Sequence, residues 1–132
     1  MAQISIDLSG IVTREFEALP AGRYPVEVLD VTRETSKNGN PMLNWQFSVV
    51  GGEFDGRRLF TNTMLMDSSL WKLRMFLLAL GYDEADLEGP IELELEELIG
   101  LTALARVAQR VYEGELRNEI RALSPLEELR VA

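Results

Sequence analysis

Residues 42–49, "MLNWQFSV", alternate apolar and polar side chains. Leu43, Trp45, Phe47 and Val49 fall on one side of an extended chain, and Asn44, Gln46 and Ser48 on the other. A period of two is the mark of a strand with one buried and one open face. That pattern requires a neighbouring strand on each flank or at an edge, and a second apolar layer to cover its buried side. The rest of the sequence has to supply both.

It supplies four more strand-like runs and one helix. Arg23–Thr32 is rich in β-branched residues, with Tyr24, Val26 and Val28 on one side, and Pro25 predicts an edge position near its start. Ser36–Pro41 is a turn by composition, since Asn and Gly tolerate positive φ and Pro fixes its own. Gly51-Gly52 ends the second strand, and Gly56–Leu65 forms the third. Asp67-Ser68-Ser69 offers short polar capping groups for a helix over 70–80, and Gly81 suits the position after its last turn. This helix is apolar nearly all round, as in a helix buried on more than one side. Leu70, Leu73, Leu77 and Leu80 make one stripe; Trp71, Met75, Leu78 and Tyr82 make a second. Leu101–Tyr112 and Glu115–Leu123 are the last two strands, joined around Gly114.

The order strand, strand, strand, helix, strand, strand in 132 residues predicts one mainly β domain. The expected architecture is a five-stranded OB-like barrel with the helix between strands three and four. Residues 1–19 form a leader, 83–100 an acidic connector with a short helical turn near its end, and 124–132 a short tail. In an OB barrel the face of strands two and three, with the loops joining one to two and four to five, carries the ligand. Here those are residues 42–65, 33–41 and 112–116.

Composition narrows the chemistry. The chain has no His and no Cys. Disulfides, thiolate metal sites and the Ser-His and Cys-His nucleophile systems are therefore absent. Asp83, Asp86 and Glu88 lack the spacing and central Gly of a calcium loop, and there is no phosphate-cradling Gly-Lys-Ser/Thr loop. Neither an enzyme nor a metal or cofactor site is expected. Met1–Asp7 lacks the basic start and apolar core of a signal peptide, and no apolar run reaches the ~20 residues of a membrane span. A soluble cytoplasmic protein is expected.

The net charge of −9 opposes nucleic-acid binding when taken as a whole. Eight acids, however, lie in 83–97 with no Lys or Arg among them; setting these aside, −9 plus 8 leaves −1 for the rest. Such a body can still present cations on one face, because a bound strand feels the field within about 8–10 Å. Lys37 on the first loop, Arg57, Arg58 and Phe60 at the start of strand three, and Tyr112 and Arg117 about the last hairpin are candidate contacts, with Arg106, Arg110 and Arg121 adding charge to strands four and five. Trp45 and Phe47 either stack on bases or, sharing a face with Leu43 and Val49, belong to the core. In the second case Asn44 and Gln46 face the groove. The acidic run is a solvated connector, a docking surface for a basic partner, or a mimic that competes with nucleic acid. Trp71, Met75 and Leu78 lack an evident partner within so small a domain and predict a two-fold homodimer.

Several phrases act together: "LPAGRYPVEV", "SKNGNPMLNWQFSV", "GRRLF", "SSLWKLRMFLLALG", and "EELIG" followed by "YEGELRNEI". They resemble a phage-encoded family of unknown function whose members lie beside recombination and replication genes and are regarded as single-stranded-DNA-binding proteins. The resemblance covers about residues 16–125; Ser36-Lys37 with Gly39–Leu43 is its most specific part. It implies single-stranded-DNA binding with little sequence preference in phage replication or recombination, in the host cytoplasm, beside replication or recombination proteins. The rival expectation is a non-catalytic protein–protein or structural module that works through its acidic face.

Overall fold

β-branched and aromatic residues at alternate positions make the strands, and the positive-φ glycines between them make the turns. The computed structural model of the chain describes residues 3, 5 and 18–126. The leader expected over 1–19 and the tail over 124–132 lie mostly outside the described residues. The elements are β1 (Gly22–Thr35), β2 (Pro41–Val49), β3 (Arg58–Met64), α1 (Leu70–Ala79), β4 (Thr102–Tyr112) and β5 (Glu115–Ser124), with short 3₁₀ turns at Asp67–Ser69, Glu84–Leu87 and Leu95–Leu98. All strand pairs are antiparallel, in the order β3-β2-β1-β4-β5. Five strands with a helix between the third and fourth is the expected order. The hydrogen-bonded ladder runs from β3 to β5 without closing on itself.

β1 is the central strand and carries the largest departure from simple alternation. Val26 and Val28 are buried, so strict alternation would drive Asp30 into the core next. A bulge between Val28 and Asp30 resets the parity. Val31 then enters the core, and Asp30 faces out beside Gln46. Pro25 lies in the stretch of β1 that pairs with β4 alone, where a missing N–H breaks no bond to β2. A second bulge, between Arg106 and Val107 on the β4–β5 ladder, lets both Ile120 and Leu123 point inward.

The expected apolar face of β2 is the centre of the core. Leu43, Trp45, Phe47 and Val49 are all buried, which decides Trp45 and Phe47 as core residues. Their rings stack at 5.8 Å, and Phe76 of α1 meets both edge-on, at 5.3 and 6.1 Å. The Trp45 indole N–H donates to Thr63 Oγ1 at 2.9 Å. Neither stripe read from the helix contains Phe76, although it is fully buried together with Leu77. An all-apolar helix hides which of its faces is inward. The start of α1 also differs: no Asp67–Ser69 side chain caps it, and these residues form a 3₁₀ turn. Gly81 takes the left-handed conformation after the helix, with φ 112°.

The acidic connector is anchored to the core by Leu98, which is fully buried, and by Leu87, Leu93 and Leu95, which pack against it. Its end crosses β1, where Gly100 N–H donates to the Val28 carbonyl and Val28 N–H to the Leu101 carbonyl. Leu19 is buried against the β4–β5 hairpin: Asn118 Oδ1 accepts from its N–H at 2.8 Å, while Asn118 Nδ2 and Gln109 Nε2 donate to its carbonyl. Among the described residues no helix is long and apolar enough to cross a membrane.

Candidate nucleic-acid interface

Once the apolar side of β2 is spent on the core, its polar side has to face outward, and the ladders place three strands' outward residues in rows. One row is Glu27, Ser48 and Arg58; the next Asp30, Gln46 and Phe60; the third Thr32, Asn44 and Asn62. The face is therefore graded. β1 brings two carboxylates, β2 brings neutral amides and a hydroxyl, and β3 brings a cation, a ring and an amide. A polyanion crossing this face is repelled from β1 and drawn to β3.

Beyond β3 lies the open seam of the sheet. Phe60, Thr61 and Asn62 of β3 and Arg110, Tyr112, Arg117, Asn118, Glu119 and Ile120 of the β4–β5 hairpin line a cleft of about 290 Å³ there. Phe60 is 65% exposed and Tyr112 52%. Arg117 sits over the Tyr112 ring at 5.5 Å and pairs with Glu115 at 3.1 Å. Arg110 and Arg117 are directly opposite each other across the hairpin. Like charges in that register oppose hairpin formation, and Glu119, 3.9 Å from Arg110, and Glu115, paired with Arg117, act against that repulsion. Both arginines are exposed.

Lys72 of α1 braces the seam from below. Its Nζ donates to the Asn62 carbonyl at 2.8 Å and to Thr61 Oγ1 at 3.4 Å, and lies 5.8 Å from the Phe76 ring. Burial pushes its ammonium below the ordinary lysine range, and the Glu119 carboxylate acts in the opposite sense. The ammonium thus ties α1 to the free edge of β3 beside the cleft.

Of the residues singled out in the sequence, Phe60, Tyr112 and Arg117 converge on this cleft. Gln46 and Asn44 adjoin it through their partners Phe60 and Asn62. Arg58 lies one row further along and is exposed; Arg57 precedes the strand and is half-buried. Lys37 does not join them. It is exposed in a tight turn closed by Ser36 N–H to the Asn40 carbonyl, Gly39 N–H to the Ser36 carbonyl and Asn40 N–H to Ser36 Oγ. Met42 pairs with Met64 and Ser48 with Arg58, so six residues of strand, about 20 Å, separate the turn from Arg58. Arg110, read in the sequence only as added charge on strand four, and Asn62, not singled out there, complete the cleft. Asn62 was accessible to a period-2 count from Phe60; the role of Arg110 depends on which strand its hairpin faces.

The arrangement offers two exposed rings, two guanidiniums, several amides and the Glu119 carboxylate. Among the described residues no group of three or more acidic side chains is placed to hold a metal ion. The profile of a family described as "Protein of unknown function (DUF669)" matches residues 5–129. No curated protein matches the chain.

Proposed function

We propose that this chain, which belongs to the DUF669 family of proteins of unknown function, is an OB-like barrel that binds single-stranded DNA with little sequence preference, in phage replication or recombination. The strand order supports the barrel: β3 and β5, the two ends of the ladder, line one cleft and so lie beside each other. The cleft itself carries the DNA reading. Exposed rings on both walls, with two guanidiniums on the wall of Tyr112, match unstacked bases on a charged backbone. The central observation is that Arg110 and Arg117 stand opposite each other on the hairpin, so that two exposed guanidiniums line the same cleft as the two exposed rings. A duplex hides its base faces, so a single strand should bind better.

The test is a fluorescence-anisotropy titration of labelled oligothymidine at several salt concentrations. Parent protein should bind with affinity that falls as salt rises, and more tightly than to a duplex of equal length. In the double variant Arg110→Gln, Arg117→Gln the log–log salt slope should drop by roughly 0.7 for each phosphate the protein no longer neutralises. Absence of binding by the parent at low salt defeats the reading. An unchanged slope in the double variant moves the interface away from the cleft.

A further inference from the structure

α1 uses one side for the core and leaves another uncovered. Trp71 is 66% exposed, and Leu70 and Ile91 are exposed beside it. With Leu73, Leu77 and Leu87 they line a groove of about 290 Å³ between α1 and the acidic connector. The patch expected from the second helix stripe is thereby displaced: Met75 and Leu78 are half-buried, Met75 packing on the core, and the exposed centre is Trp71. A tryptophan in the open, flanked by aliphatic side chains, is the residue type that anchors protein interfaces.

The wall opposite the helix is acidic. Asp86, Glu88 and Glu92 flank the lining residues Leu87 and Ile91; all three are exposed, and none has an ion-pair partner among the described residues. They belong to the run of eight acids in 83–97. Arg74 is the single cation among the lining residues. This charge selects the occupant. A second copy joined by a two-fold axis would bring two such acidic runs together, and a nucleic acid would set phosphates against them. A cationic segment with apolar anchors satisfies both walls.

We propose that the groove between α1 and the connector docks a basic, apolar-anchored segment of another protein. The groove shares no lining residue with the cleft of Phe60 and Tyr112, so the two sites can be occupied at once and tested separately.

The probes are three synthetic amphipathic helical peptides with identical leucine anchors and Lys, Gln or Glu on the polar face. Trp45 is buried and Trp71 exposed, so acrylamide quenching of the full chain reports Trp71. The Lys peptide should protect Trp71 from quenching and shift amide resonances around Leu73, Leu87 and Ile91. The Glu peptide should bind at least about tenfold more weakly. Glu88→Gln with Glu92→Gln should narrow that difference, and Trp71→Ala should abolish peptide binding while oligothymidine affinity stays at the parental value. Equal binding of all three peptides, or none, overturns the proposal. So does a Trp71 already shielded in the free chain, which makes the chain itself the occupant. Shielding that grows with concentration alongside a dimer in sedimentation makes the occupant a second copy, and overturns it as well.

Discussion

Thr63 is the one buried polar side chain among the described residues, and its hydroxyl takes the Trp45 indole proton. Thr63→Val keeps the shape and removes the acceptor, leaving a buried N–H without a partner. Such a group costs about 1–3 kcal/mol, so the urea midpoint should fall with the m-value unchanged. Thr63→Ser, which restores the acceptor, should recover part of the loss. The exposed rings behave in the opposite way. Phe60→Ala and Tyr112→Ala leave the core intact and should keep the midpoint within experimental scatter. Each should weaken oligothymidine binding roughly 5- to 150-fold, the equivalent of about 1–3 kcal/mol of stacking per base. A ring whose removal lowers stability instead of affinity would belong to the fold and not to the interface.

The β4–β5 hairpin illustrates how an element can be held slightly off its own optimum. Glu113 and Gly114 both have positive φ, 51° and 80°, and Glu113 is the one non-glycine residue to do so among the described residues. Two-residue hairpin turns of this kind favour Asn-Gly. Glu113→Asn should therefore stabilise the protein by about 0.5–1 kcal/mol, read as a higher denaturant midpoint. It also removes a negative charge next to Tyr112, so oligothymidine affinity should rise modestly at low salt. The same hairpin faces Arg110 and Arg117 across its ladder. Replacing Arg117 by Gln removes its repulsion from Arg110 together with its exposed contacts to Glu115 and Tyr112, so stability should stay near the parent's while affinity falls.

At the scale of the molecule the charge is divided by position. The cations line the cleft and the eight acids of 83–97 lie outside it, so in the proposed binding an approaching oligonucleotide feels attraction from the first and repulsion from the second, both screened over the same distance. Glu92→Gln, Glu94→Gln and Glu96→Gln in one protein should raise the association rate at low salt, measured by stopped flow. The difference from the parent should vanish near 1 M salt, where screening shortens to about 3 Å. Dissociation should change little, because these residues do not line the cleft. A change confined to dissociation would place the connector in direct contact with DNA.

Local pattern was enough for the elements themselves. The alternation of Leu43 to Val49 placed four apolar residues on one face of β2, because a period of two separates the two sides of a strand, but it left Trp45 and Phe47 open between base stacking and the core until their burial under α1 decided it. The glycines marked the turns, and the order of runs placed the helix between β3 and β4. Three things depended on tertiary contact. The bulge in β1 shifts parity, so Asp30 and Val31 exchange faces in a way that counting by two does not reveal. In α1, apolar all round, only the sheet above it selects Phe76 for the core and leaves Trp71 outside. Finally, Phe60 and Tyr112 lie on strands distant in sequence. Each was legible as an exposed ring candidate, but their meeting across the open seam follows from the path of the chain around β1, which no spacing along the sequence encodes.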